Sequence, residues 1–138
     1  MSRRDRTRSR EMALQALYQA DLTGDECLPG IESTLRADGH PPEVVDYAFE
    51  LARGVRANVL DIDAVLAAAA QHWSVHRMAV VDRNILRVGI EEFLRHADVP
   101  PRVVINEAIE MAKRFGTSES PAFVNGLLDR IATELERA

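Results

Sequence analysis

Apolar residues recur at intervals of three and four along most of the chain, and no stretch alternates with period two. That pattern predicts helices and no strands. From about Thr7 to Leu22 one stripe carries Ala13, Leu14, Leu17, Tyr18 and Leu22, with Arg10 and Gln15 toward solvent. A short turn of helix follows over Ile31–Arg36. Pro41 and Pro42 then stand where proline is tolerated, in the first turn of a long helix. Val44, Val45, Ala48, Leu51, Ala52, Val55, Val59, Ile62 and Leu66 give that helix its apolar side, and a bend is expected near Gly54.

Beyond Trp73, Val81, Ile85, Val88 and Phe93 with Leu86, Ile90 and Leu94 make a stripe broad enough to mark a deeply buried helix. Pro100-Pro101 starts the next helix, with Val104, Ile105, Ala108, Ala112 and Phe115 on one side and Gly116 as its C-terminal cap. The last helix takes Ser120 as N-cap and Pro121 at its first position, and runs through Phe123, Val124, Leu127, Leu128, Ile131 and Leu135. Asn125-Gly126, elsewhere a hairpin signal, falls inside this helical pattern and reads as a point of close helix packing. The fold class is all-α, a compact helical bundle.

A chain of 138 residues fits one domain, and 46% hydrophobic against 28% charged residues excludes global disorder. The net charge of −5 conceals an uneven distribution. Arg3, Arg4, Arg6, Arg8 and Arg10 against Asp5 give residues 1–10 a charge of +4, so residues 11–138 carry −9. The organisation expected is a flexible Arg-rich arm over 1–10 and a single all-α domain over 11–138. The arm lacks the apolar segment of a secretory or twin-arginine signal, and Asp5 and Glu11 interrupt it where a mitochondrial presequence would be free of acids. The longest unbroken apolar run, Ala64–Ala70, is far short of the roughly 20 residues that span a membrane. With one cysteine, Cys27, no internal disulfide is possible, and the cytoplasm is the expected compartment.

Catalytic chemistry finds little support. His72 and His76 have the spacing of two metal ligands, but no glutamate of the zincin pattern and no third ligand accompany them. Asp61 and Asp63, two apart on a helix, point in different directions and read as a solvated face. No phosphate-cradling glycine loop and no nucleophile elbow occur. No enzyme and no cofactor are expected. The arm has a clear use, because guanidinium groups bind phosphate and stack on bases. Sixteen of the 17 Lys and Arg residues are Arg, so it is their density at the terminus, not the choice of Arg over Lys, that points to RNA. Tyr18, two turns past Arg10, fits either a stacking surface or the core.

Three ordered blocks carry a resemblance. They are Trp73, Arg77 and Val81-Asp82-Arg83-Asn84-Ile85-Leu86-Arg87; then Val104-Ile105-Asn106-Glu107-Ala108 through Lys113 to Phe115-Gly116; then Ser120 and Phe123-Val124-Asn125-Gly126-Leu127-Leu128-Asp129. With the Arg cluster leading into Ala16-Leu17-Tyr18-Gln19, the sequence resembles the NusB family of transcription antitermination factors over nearly its whole length. The resemblance implies two packed helical subdomains. It also implies an RNA-binding adaptor that joins ribosomal protein S10 (NusE) on boxA RNA and helps RNA polymerase read through ribosomal RNA operons. The family's RNA-binding motif falls on Arg3, Arg4, Arg6, Arg8 and Arg10 with Tyr18 close by, and its RNA or partner surface on Asp82, Glu119 and Phe123. Asp5 and Glu119 depart from the family pattern. The alternative is a protein-interaction or self-associating module, a homodimer among its forms, whose RNA contact comes mainly from its partner. NusB-like domains fused to RNA methyltransferases are a third class, and 138 residues leave no room for that catalytic domain.

Overall fold

The first helix begins earlier than the apolar stripe suggests. In the computed structural model, which describes residues 1–135, Ser2 caps α1 (Arg3–Thr23). The Ser2 hydroxyl accepts from the Asp5 backbone N–H, and the Asp5 carboxylate accepts from the Ser2 N–H, each at 3.1 Å. This is a reciprocal capping box, which satisfies two otherwise orphaned donors. Residues 3–10, expected as an arm ahead of a helix from about Thr7, are therefore the first turns of α1, and Asp5 is its N-terminal lock. The last positions of the expected 11–138 domain, 136–138, lie outside the described residues.

The chain divides into two units, Met1–Ala57 and a second that starts at Asn58. In the first, a 3-10 turn (Asp25–Cys27) and α2 (Leu28–Ala37) follow α1, and α3 (Pro42–Ala57) packs on α1. Fully buried Ala13, Ala16 and Leu17 come from α1, and Val44, Val45, Ala48, Leu51 and Ala52 from α3. Ser9, buried, donates its hydroxyl to the Val44 carbonyl at 2.8 Å, pinning α1 to the start of α3. Glu32 joins α2 to α3 by accepting from both Arg36 and Arg53. Those hydrogen bonds, Arg36 first, hold its carboxyl below the ordinary 4.5. The expected long helix ends at Ala57, not by bending at Gly54, which is an interior residue of α3. Asn58, with φ −115° and ψ 20°, breaks it. Asparagine competes with helix hydrogen bonds through its own side chain, so the break falls there.

The second unit holds α4 (Val59–Ala70), a 3-10 turn (Val75–Arg77), α5 (Val80–Arg95), α6 (Pro101–Phe115) and α7 (Ser120–Glu134). α5 packs against α4, α6 and α7 and is buried without interruption from Asn84 to Phe93. Arg87 on this helix forms a bidentate pair with Asp63 of α4 at 2.9 and 2.8 Å, so Asp63 does not belong to a solvated face. Ser120 is the first helical residue and not the cap; its buried hydroxyl accepts from the Thr117 N–H at 2.9 Å and braces the turn between α6 and α7. Gly116 is extended, with φ −96° and ψ −163°, and needs no left-handed freedom. A Cβ there would meet the Ser120 Oγ at 2.4 Å, and that approach is what requires glycine. Asn106 and Asn125 are both exposed. No helix among the described residues is long and apolar enough to cross a membrane.

Close packing falls on Gly89, not on Gly126. A Cβ at Gly89 would sit 3.1 Å from both terminal carbons of fully buried Leu128, whereas one at Gly126 meets nothing within 4 Å. Gly126→Ala is expected to raise stability by about 0.5–1 kcal/mol, since alanine restricts the unfolded chain and the site is open. Gly89→Ala is expected to lower it by about 1 kcal/mol through overpacking. Urea unfolding of the two variants checks both signs.

Candidate nucleic-acid interface

The outward side of α1 reads Arg4, Arg8, Gln15, Tyr18 and Leu22, all exposed, with half-buried Glu11 among them. These positions repeat at three and four residues, so they share one face. Arg3, also exposed, stands beside them at the first helical position. Ten residues separate Arg8 from Tyr18, about 15 Å along the helix at 1.5 Å per residue. Tyr18 is 43% exposed, which excludes the core and leaves its ring open for stacking. Leu22, placed by the sequence on the apolar stripe, is exposed for the same reason: it lies four residues beyond Tyr18.

The five arginines are not equivalent. Arg10, expected toward solvent, is buried at 3% exposure and is not a free cation. It lies four residues before Leu14 and seven before Leu17, so the helical period carries it to the inner side despite its charge. The Arg6 guanidinium lies 4.1 Å from the ring centroid of buried Tyr47, a cation–π contact that fixes Arg6 against α3. Arg8 reaches the His40 Nδ1 at 3.4 Å. Arg3, Arg4 and Arg8 are the exposed set.

Asp5 orients this end of the helix. Hydrogen bonds from the Ser2 backbone N–H and then from its hydroxyl hold the Asp5 carboxyl below the ordinary 3.8. A carboxyl depressed in the folded state stabilises that state above its unfolded pKa, and the benefit disappears as pH falls through the folded value. Amide exchange at Asp5 and Arg6, whose N–H groups donate to the Ser2 hydroxyl and carbonyl, is therefore expected to be slow relative to intrinsic rates above pH 3.8, and to lose that protection progressively below it.

The other sequence-derived positions lie in the second unit. Glu119 is exposed at the N-cap of α7 and Phe123 sits one turn on, its N–H donating to the Glu119 carbonyl at 3.2 Å. Asp82 occupies the first turn of α5, half-buried, and its Oδ1 is buried and accepts no hydrogen bond among the described residues. A buried carboxylate oxygen left in that state costs free energy unless a donor reaches it. Trp73, which the sequence offers only as a landmark, packs edge-on against Phe123 at 5.8 Å between centroids and 77° between planes. It remains 62% exposed. It follows the end of α4 at Gln71, where φ of 47° turns the chain out of the helix. The available signal was a lone tryptophan just past an apolar helix. His72 and His76 flank it, both exposed, and no group of three or more metal-ligating side chains occurs among the described residues.

The NusB family profile matches residues 7–133. The transcription antitermination protein NusB of Geobacter sulfurreducens is 46% identical over 129 residues, covering 91% of this chain and 92% of that one. That of Myxococcus xanthus is 42% identical over 136 residues, covering 96% and 97%. Among solved structures, NusB of T. maritima superimposes with a TM-score of 0.83 at 39% identity, covering 94% of this chain and 91% of that one. A structure of antitermination factors NusB and NusE in complex with dsRNA superimposes with a TM-score of 0.84 at 25% identity, covering 96% and 99%.

Proposed function

The chain belongs to the NusB family of non-enzymatic transcription antitermination proteins, and from that premise we propose that the N-terminal half of α1 grips the phosphates of boxA RNA while Tyr18 stacks on a base. The observation that carries this reading is the exposure of Arg3, Arg4 and Arg8 at one end of a helix whose outward face also presents Tyr18. Cations supply affinity and an aromatic face accepts any unstacked base. Arg10 and Arg6 act differently, as the buried and ring-held residues that keep this helix in place. The acidic remainder of the chain limits where RNA can lie.

In this reading ribosomal protein S10 is the partner, and the complex works in the cytoplasm with RNA polymerase on ribosomal RNA operons. Support comes from the related NusB seen with NusE and RNA, and Asp82, half-buried in the first turn of α5, is the position the family resemblance gives to the partner-facing side. Glu119 and Phe123 complete the surface assigned to RNA or partner. The test is a titration of boxA RNA and a scrambled RNA with and without S10, with molar mass measured alongside. Tighter binding of boxA that S10 strengthens further is expected. Equal affinity for both RNAs, or no change on adding S10, contradicts the adaptor reading. A dimer that loses RNA affinity as it forms would favour self-association.

A further inference from the structure

The loop between α2 and α3 brings one more titratable group to the cationic end of α1. His40 is half-buried there, and its Nδ1 lies 3.4 Å from the Arg8 guanidinium. A guanidinium only donates, so in this contact Nδ1 accepts and the neutral ring carries its proton on Nε2. Nε2 has no hydrogen-bond partner among the described residues. The approach is fixed from both sides. The Ser9 hydroxyl, next to Arg8, donates to the Val44 carbonyl at 2.8 Å, and the Val44 N–H donates to the Pro41 carbonyl at 3.0 Å. Gly39, at φ 84°, turns the chain after α2, and Pro41 restricts His40 toward extended backbone.

Charge decides what this pair can hold. Imidazole is the side chain that ordinarily gains or loses its proton between about pH 5 and 8. Once protonated, His40 offers Arg8 no lone pair, and two cations face each other across 3.4 Å. An anion that accepts from both removes the conflict. Asp38 and Glu43 flank His40 in the loop, Arg4 and Glu11 flank Arg8 on α1, and Arg36 is paired with Glu32 and Asp46. Carboxylates and guanidiniums ordinarily keep their charge over this range, so the change of charge belongs to His40. Arg4 one turn before Arg8, and Tyr18 on the same face, make the anion one phosphate of a strand rather than an isolated ion.

We propose that His40 is a proton-linked phosphate ligand, which joins Arg8 on one RNA phosphate and makes RNA binding tighten as pH falls. His40 serves the α1 surface assigned above, so its role rests on that reading. Binding moves one proton from solvent to the imidazole, and a bound phosphate oxygen favours that charged form. The full chain, His40→Gln and His40→Lys are titrated with labelled single-stranded boxA RNA at about pH 8 and about pH 5.5, each across a salt series, with circular dichroism checking the fold. The wild type is expected to gain about fivefold in affinity at the lower pH near 0.1 M salt, with a log–log slope steeper by about 0.7, the value of one phosphate contact on a single strand. His40→Gln, neutral throughout, is expected to match the wild type at the higher pH and to lose the gain. His40→Lys, charged throughout, is expected to hold the tighter affinity at both. His72, His76 and His96 remain in all three proteins, so a gain that persists in His40→Gln overturns the role of His40. A wild type without the gain, or a His40→Lys that binds like His40→Gln, overturns it too. In each of these cases a slope of about −2 at the higher pH leaves the α1 arginines gripping RNA, whereas a slope near zero there overturns both readings.

Discussion

Alanine at Arg3, Arg4 and Arg8 together is expected to weaken single-stranded RNA binding about a hundredfold near 0.1 M salt, because each phosphate contact on a single strand releases about 0.7 counterion. One such contact is worth about fivefold at that salt, and three multiply. All three side chains are exposed, so the melting temperature should hardly move. Arg10→Ala is expected to behave in the opposite way. Its guanidinium and stem are buried, so the loss falls on stability, about 1–3 kcal/mol, with little direct effect on phosphate contact. Anisotropy of a labelled RNA and a thermal melt, run on both variants, separate the gripping arginines from the holding one. A loss of affinity in Arg10→Ala that matches the triple variant, with its stability intact, would refute the distinction.

Asp63→Asn is expected to lower the unfolding free energy by about 2–3 kcal/mol. Arg87 is 7% exposed and receives both carboxylate oxygens of Asp63, so the substitution removes charge and one good acceptor from a guanidinium that water does not reach. The figure sits at or below the usual range for breaking a buried pair because the Asp63 side chain keeps 26% of its exposure and its charge is partly solvated already. Asp61→Asn, on an exposed neighbour, should stay within about 0.5 kcal/mol. Urea midpoints at constant slope measure both. Equal small effects at the two positions would show the Asp63–Arg87 pair to be ornamental.

Most of the helices were legible because their apolar period is regular and the starts of α2, α3, α6 and α7 carry proline or glycine, but the apolar stripe runs on through Asn58, so the break between α3 and α4 was not. What the period could not supply was the outer or inner assignment of polar residues on α1. Charge alone puts Arg10 outside, yet its register with Leu14 and Leu17 takes it inside; residue type alone fits Tyr18 to either side, and its register with Gln15 and Leu22 takes it outside. The capping box was readable in Ser2-Arg3-Arg4-Asp5 and changes the meaning of Asp5 from an intruder among arginines to the residue that orders them. Asp63 and Arg87 are 24 positions apart, and nothing local announces that their helices meet. Gly89 and Gly126 carry the same lesson: both lie within helical patterns, and only the neighbouring Leu128 tells them apart. Trp73 was visible as a residue but not as a surface, since its exposure follows from the turn at Gln71.

The salt dependence of wild-type binding to a single-stranded boxA RNA tests the central claim, that a capped helix presents three arginines to phosphate. The expected slope of log affinity against log salt is about −2, the value for three contacts on a single strand. A slope near zero would contradict phosphate recognition by α1. A slope near about −3.5, the value for five contacts, would contradict the burial of Arg10 and the holding of Arg6 on Tyr47.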